Sequence, residues 1–172
     1  MSPSEPFDMD LADNRHLPYP SFTWHDIEKV LIRCFDEAVQ IRKEHGMKND
    51  LAFHNKIQDL VKNAAGELHM EGKKEFGVKK LSIDKNGKSR GGGIDVIYRY
   101  KEQKIAVIEI DSSYRKRSVN KLKKSGVDLK FWLYYGSKYQ IESNPDLAGI
   151  HVIVKTEPYI KKIDVLPRDI PL

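Results

Sequence analysis

Three acidic residues lie on two consecutive apolar segments of the sequence. Asp95 stands in Gly-Gly-Gly-Ile-Asp-Val-Ile-Tyr, and Glu109 and Asp111 stand in Ile-Ala-Val-Ile-Glu-Ile-Asp. A short polar turn, Lys-Glu-Gln, joins the segments, and this pattern predicts a β-hairpin. If Tyr100 pairs with Lys104, Asp95 lies opposite Glu109, with Cβ atoms about 5 Å apart. Asp111 then points to the same face as Glu109, because side chains alternate along a strand.

Carboxylates that converge inside an apolar sheet repel one another, and burial increases the cost. Protonation, basic partners or a divalent cation would relieve that repulsion. Oxygen-only donors suit Mg²⁺ or Mn²⁺. The residues therefore leave two interpretations open. One is a Mg²⁺ (or Mn²⁺) site, and the other is a structural set of ion pairs with Arg115, Lys121 or a lysine of a neighbouring strand.

Basic residues are concentrated in the same third of the chain. Residues 73–130 contain 17 Lys and Arg against 7 Asp and Glu, whereas the rest of the chain contains 13 against 18. This imbalance favours a polyanionic partner, most simply nucleic acid, and a solvated basic surface is the alternative. The residues predicted to bind nucleic acid are Arg115, Lys116, Arg117, Lys123 and Lys124 on a helix, and Lys88 and Arg90 beside a turn.

Composition excludes several classes of protein. With 172 residues and 19.9 kDa the chain suits one domain. It has no apolar run near the ~20 residues that a membrane helix needs. Cys34 is the only cysteine, which excludes an internal disulfide and predicts a small buried hydrophobe on a helical stripe. The acidic, proline-rich start is unlike a signal peptide, so we expect a cytoplasmic or nuclear protein without a membrane segment.

The elements that must position these residues follow from periodicity. We expect a flexible arm (1–20), one domain (21–160) and a C-terminal tail (161–172). Capping signals predict helices from Thr23 to Gly46 and from Asn49 or Asp50 to about Gly66. The remaining predicted elements are strands from Lys74, Ile94 to Tyr100 and Lys104 to Asp111, a helix from Tyr114 to Ser125, and strands Leu129 to Tyr135 and Ile150 to Lys155.

This order, α-α-β-β-β-α-β-β, predicts an α/β fold with a mixed sheet and helices on both faces. The helix after the third strand allows a right-handed crossover, so strands three and four are expected to be parallel neighbours. The aromatic strand from Leu129 to Tyr135 is predicted to be core rather than a base-stacking platform. The histidines of the predicted helices, including His54, are predicted to be structural or exposed. Gly91-Gly92-Gly93, ahead of the second strand, indicate a turn or close approach by a ligand.

The pattern Ile94-Asp95-Val96, a short turn, Val107-Ile108-Glu109-Ile110-Asp111 and a basic helix resembles the PD-(D/E)xK nuclease superfamily. Restriction endonucleases, archaeal Holliday-junction resolvases and very-short-patch-repair-like nucleases belong to it. The resemblance covers roughly residues 50–135. It implies a restriction-endonuclease-like α-β-β-β-α-β core, here with an extra N-terminal helix, in which an Asp and a Glu on adjacent strands hold Mg²⁺.

Two positions depart from that pattern. The superfamily usually has a lysine two residues after the Glu, and this chain has Asp111 there. Lys121 on the following helix is expected to supply an ammonium group to the site in its place. Many members of the superfamily have a Glu in the early helix, where this chain has Phe53-His54-Asn55-Lys56. Glu75 on the preceding strand is expected either to replace that Glu as a ligand or to be an exposed strand residue. The resemblance thus implies the catalytic residues Asp95, Glu109, Asp111 and Lys121 and the metal ligands Asp95, Glu109, Asp111 and Glu75.

These observations predict a Mg²⁺-dependent endonuclease that hydrolyses phosphodiester bonds in DNA. In this interpretation Asp111 takes a second metal ion or acts as the general base. The alternative is a nucleic-acid-binding module that keeps the nuclease fold without catalysis. A third interpretation is a protein-interaction subunit whose acidic N-terminal arm engages a partner. A homodimer is also expected from the resemblance, because many members of the superfamily are dimers.

Overall fold

The computed structural model describes residues 23–83, 85–136 and 144–155, except for the side chains of residues 80–83, 89 and 90. The predicted N-terminal arm (1–20) and C-terminal tail (161–172) lie outside the described residues. Within the described ranges, no helix combines the length and the hydrophobicity needed to cross a membrane.

The described elements follow the predicted order. The helices are α1 (Trp24–His45), α2 (Asp50–Ala64) and α3 (Lys116–Lys124), with 3₁₀ turns at Ala65–Leu68 and Pro145–Leu147. The strands are β1 (Glu71–Ile83), β2 (Ser89–Tyr100), β3 (Gln103–Asp111), β4 (Leu129–Tyr134) and β5 (His151–Val154). Strands β1 and β2 begin earlier than predicted, and α3 is shorter at both ends.

Local capping signals set the ends of the first two helices. The backbone N–H and the hydroxyl of Thr23 donate to the carboxylate of Asp26, at 2.8 and 3.0 Å. Gly46 ends α1 with φ of 59°, a conformation that glycine adopts without strain. The side chain of Asn49 accepts a hydrogen bond from the N–H of Ala52, at 3.1 Å. Because these interactions are local, the sequence predicted them correctly.

The strands form one mixed sheet in the order β1-β2-β3-β4-β5. Strand β2 is antiparallel to both β1 and β3, whereas β3, β4 and β5 are parallel. Helix α3 connects β3 to β4, so the predicted parallel pair is confirmed. The fold is therefore α/β, with a five-stranded mixed sheet.

Each face of the sheet carries its own apolar core. Helices α1 and α2 cover one face, where Phe35, Phe53 and Ile108 are almost fully buried. Helix α3 covers the other face with Leu122, above the buried ring of Trp132. The predictions that Cys34 is buried and that the aromatic β4 strand is core are both confirmed. Helices therefore flank the sheet on both sides, as predicted.

The hairpin of β2 and β3 has the predicted register at Val96 and Ile108, although its turn was predicted wrongly. Tyr100 pairs with Gln103 and not with Lys104. A bulge at Ile105 then adds one residue to β3, so that Val96 pairs with Ile108. The extra residue restores the predicted register at Val96 and Ile108, which is the last pair before Asp95 and Glu109.

The β2–β3 pairing ends at Val96 and Ile108, and the strands then separate. Beyond this point β3 stays paired with β4 up to Asp111, while β2 stays paired with β1. Side-chain alternation also breaks there, because Ile94 and Ile97 pack in one core whereas Val96 and Tyr98 pack in the other. Asp95 lies at this break.

The three consecutive glycines lie inside β2, so the predicted turn ahead of the strand is wrong. Gly93 pairs with Gly77 of β1, and Gly91 lies where the register of the two strands shifts. A Cβ atom at Gly91 would lie 2.6 Å from the carbonyl oxygen of Val78, and one at Gly93 would lie 2.7 Å from Glu75 Oε2. Glycine is therefore needed at Gly91, where the contact is with backbone, whereas the contact at Gly93 is with the movable end of the Glu75 side chain.

Candidate active site

An open cavity of about 560 Å³ lies where β2 and β3 separate. Four of the predicted catalytic residues line it: Asp95 from β2, Glu109 and Asp111 from β3, and Lys121 from α3. The predicted convergence of three carboxylates and one ammonium group is therefore present in the fold.

Asp95 is joined to Glu109 and to the next residue, Ile110, by two hydrogen bonds between side chain and backbone. The N–H of Asp95 donates to Glu109 Oε1 at 3.2 Å, and the N–H of Ile110 donates to Asp95 Oδ2 at 2.8 Å. These hydrogen bonds occupy backbone donors at the point where the strand ladder stops. The two carboxylates are thus held beside each other by the separation of the strands.

Helix α3 contacts β2 through two cationic side chains. Lys121 Nζ donates to the carbonyl oxygen of Gly93 at 2.7 Å and lies 2.6 Å from Glu109 Oε2. One turn earlier, Arg117 donates to the carbonyl oxygen of Gly91 at 2.9 Å. Four helical residues rise about 6 Å and two strand residues about 6.6 Å, so the spacings match. This match holds α3 along β2, and from there the Lys121 ammonium group also contacts Glu109 of β3.

Glu109 is 1% exposed, and its protonation reflects that burial. Burial and the charge of Asp95 raise the pKa of Glu109 to about 8, even though Lys121 opposes this increase. The protein's own cations therefore do not fully stabilise the ionised carboxylate. A proton or an additional cation would therefore be favourable at this position.

Asp111 is buried beside β4 and the start of α3. Its Oδ2 atom accepts a hydrogen bond from Trp132 Nε1 at 2.9 Å, and its Oδ1 atom lies 3.7 Å from Arg115 Nε. Burial raises the pKa of Asp111, whereas hydrogen bonds from Ser118 and Trp132 act in the opposite direction. Asp111 therefore has a higher proton affinity than an exposed aspartate.

Two residues of α2 that the sequence analysis did not assign to the site contact Asp95. His54 Nε2 lies 3.5 Å from Asp95 Oδ1, and this carboxylate raises the pKa of His54 while burial opposes the increase. The buried side chain of Gln58 donates to the carbonyl oxygen of Asp95 at 2.9 Å and to Glu75 at 3.0 Å. The signal in the sequence was a polar pair four residues apart, hence on one helix face.

Glu75 lies on β1 outside the lining of the cavity, and it is exposed. Its backbone has φ of 57°, and its carboxylate accepts the hydrogen bond from Gln58. In this structure Glu75 therefore supports the contact between α2 and β1. Its predicted role as a metal ligand stays a prediction.

The predicted nucleic-acid-binding residues fall into two groups. Arg115 and Arg117 line the cavity, and Lys116, Lys123 and Lys124 are exposed on α3. Lys88 is exposed near the β1–β2 turn, whereas the side chain of Arg90 lies outside the description.

Compared with protein-family models, with curated proteins and with solved structures, this chain has no match. The features that bear on function are therefore those of the site itself. Buried carboxylates lie where two strands separate, a lysine is paired with one of these carboxylates, and a basic helix lies beside them.

Proposed function

We propose that this chain is a Mg²⁺-dependent nuclease acting on DNA, with a restriction-endonuclease-like core of the PD-(D/E)xK type. The observation that carries the proposal is the pairing of Asp95 and Glu109 in an open cavity, with Lys121 on Glu109. The resemblance in motif and in element order supports the same assignment.

The carboxylates of the cavity have the chemistry that a divalent cation requires. Among the described residues, no group of three or more His, Cys, Asp and Glu is arranged to hold a metal ion. Mg²⁺ commonly takes only one or two carboxylates, with waters and substrate phosphates completing its shell. Asp95 and Glu109 supply two carboxylates, and the raised pKa of Glu109 means that a nearby positive charge would be favourable. This pair therefore suits Mg²⁺.

Each residue then has a distinct role. Asp95 and Glu109 would hold Mg²⁺, which when bound acidifies water and offsets phosphate charge. Asp111, whose pKa is raised by burial, accepts the proton of the attacking water. Lys121 places its ammonium group in the cavity and stabilises negative charge on the phosphate. Arg115 and Arg117 orient the strand that enters the cavity.

The direct test is cleavage of plasmid, junction and single-stranded DNA by the full chain in Mg²⁺ or Mn²⁺. We expect cleavage that EDTA abolishes, because removal of the cation leaves the Glu109 carboxylate protonated and the water unactivated. Gel electrophoresis measures the products. Failure to cleave any of these substrates would contradict the proposal.

A second candidate function is favoured by a different observation. Each carboxylate of the cavity already has a cationic or protonatable partner: Lys121 for Glu109, His54 for Asp95 and Arg115 for Asp111. Ion pairs of this kind can serve only to stabilise the fold. In that case the protein would be a nucleic-acid-binding module without catalysis. That module would bind DNA equally well in Mg²⁺ and in EDTA. A strong requirement for metal would therefore exclude it.

The exposed lysines of α3 should determine how DNA binding responds to salt. Lys116 and Lys123 are two turns apart and share one side of the helix. Replacing both with glutamine is expected to reduce the slope of log K against log salt by about 2, because two phosphate contacts are lost. Fluorescence anisotropy at several salt concentrations measures the slope.

The matched control replaces Lys29 and Lys43, which are exposed on α1 on the opposite side of the sheet. This pair removes the same charge and should leave the slope unchanged. Equal reductions in both variants would mean that net charge, and not the α3 surface, governs binding.

A further inference from the structure

The cavity has two chemically different walls. One wall comes from α3 and the residue before it, and it carries Arg115, Arg117 and Lys121. The other wall comes from the first turns of α2 and includes Asp50 and Leu51. Among the described residues, no lysine or arginine of α2 lines the cavity. The acidic residues of β2 and β3 lie between these walls.

The α2 wall combines apolar surface with a carboxylate that is already ion-paired. Ile110 and Tyr135 line the cavity and belong to the core that α1 and α2 cover. Leu51 stands at the edge of the cavity with 67% of its surface exposed, and no other large apolar residue of the described ranges is exposed. Asp50 next to it is held by Arg42 at 3.1 Å. Because Arg42 balances the charge of Asp50, this wall is mainly an apolar surface, and contact with an apolar group would be favourable.

A nucleotide is complementary to both walls. Its anionic phosphate suits the basic wall, and its flat, largely apolar base suits the α2 wall. We infer that the cavity binds one nucleotide unit, with its phosphate toward Arg115 and Lys121 and its base against Leu51 and His54. The inference rests on the proposed nuclease function and deepens it, because it assigns a part of the substrate to each wall.

The size and position of the cavity agree with this assignment. Its volume of about 560 Å³ lies within the ~300–1,000 Å³ of typical small-ligand sites. A base that remains stacked in a duplex cannot turn its face to the α2 wall. The substrate class is therefore nucleic acid with an unpaired or flipped-out nucleotide beside the cleaved phosphate.

The test compares two small ligands by isothermal titration calorimetry with the full chain, in Mg²⁺ and in EDTA. Thymidine 3′,5′-bisphosphate carries a base, and 1,2-dideoxyribose 3,5-bisphosphate is its abasic counterpart. Wild-type protein is expected to bind the thymidine ligand about fivefold more tightly, since only this ligand reaches Leu51. Leu51→Ala should reduce that difference, because only His54 then remains to contact the base, and should leave the affinity for the abasic ligand unchanged.

The control variant is Asn55→Ala, on an exposed position of the same helix that does not line the cavity. It should bind both ligands as the wild type does. Leu51→Gln, which keeps the size of the side chain but not its apolarity, should behave as Leu51→Ala does and guards against a folding defect of that variant.

Three results would overturn the inference: equal binding of the two ligands by wild type, no binding of either, or an equal loss for both in Leu51→Ala. The same experiments distinguish failure of this inference from failure of the nuclease proposal. Protein that discriminates between the ligands but cuts no DNA keeps the nucleotide site and loses the nuclease assignment. Protein that cuts DNA without discriminating between the ligands loses only the present inference.

Discussion

Asp95→Asn is expected to lower Mg²⁺-dependent cleavage of DNA by about a thousandfold while leaving the fold intact. The substitution removes the negative charge that would hold the cation. It keeps an oxygen that can accept the hydrogen bond from the N–H of Ile110, which is 2.8 Å long in the wild type. The N–H of residue 95 still donates to Glu109. The initial rate of plasmid cleavage measures the effect, and thermal unfolding checks the fold.

Asp128→Asn is the matched control, because Asp128 is an exposed aspartate away from the cavity. It removes the same charge and should cleave at the wild-type rate. If Asp95→Asn cleaves within about tenfold of the wild type, Asp95 does not hold a catalytic cation, and the nuclease proposal loses its principal residue.

The second large effect concerns stability in metal-free buffer. The unfolded chain is expected to release the proton of Glu109 near the ordinary pKa of 4.5, whereas the folded protein holds it up to about pH 8. Between these values the folded state binds more protons, so the free energy of unfolding falls as pH rises. The loss contributed by Glu109 is on the order of 3–5 kcal/mol and is complete above about pH 8.

Asp111 and His54, whose pKa values are also raised, act in the same direction. Stability from each is present below its unfolded pKa and is lost as pH rises through its folded pKa. Urea denaturation in EDTA between about pH 5 and pH 9 measures the combined effect. Glu109→Gln cannot ionise and should flatten most of this dependence.

Glu102→Gln supplies the control, because the side chain of Glu102 is 98% exposed in the turn between β2 and β3. It should reproduce the wild-type profile. A wild-type protein that becomes more stable as pH rises through this range would contradict the proposed burial of the Glu109 proton.

Local signals determined most of the secondary structure. The caps at Thr23, Gly46 and Asn49 act within a few residues, so the sequence by itself placed the first two helices. Ends that depend on pairing with distant residues were less predictable. Strand β2, for example, begins at Ser89 because β1 provides a partner for the glycine segment, whose sequence resembles a turn.

The sequence also predicted the register of β2 against β3 at Val96 and Ile108, although the assumed turn was wrong and the pairing ends before Asp95 and Glu109. The hairpin closes one residue earlier, at Gln103, and the bulge at Ile105 compensates for the difference. Both faces of β3 are buried from Ile105 to Asp111. A shift by one residue would therefore exchange its side chains between the two cores and move Glu109 to the other face.

Only the tertiary structure decided which groups surround the carboxylates. His54 and Gln58 on α2 reach Asp95 across about forty residues of sequence, and Lys121 reaches Glu109 from the opposite side of the sheet. These contacts depend on how the helix layers dock, which no local pattern records. The sequence alone therefore determined that acidic groups would meet between two strands, whereas the packing of three layers decided their partners, their protonation and the two walls of the cavity.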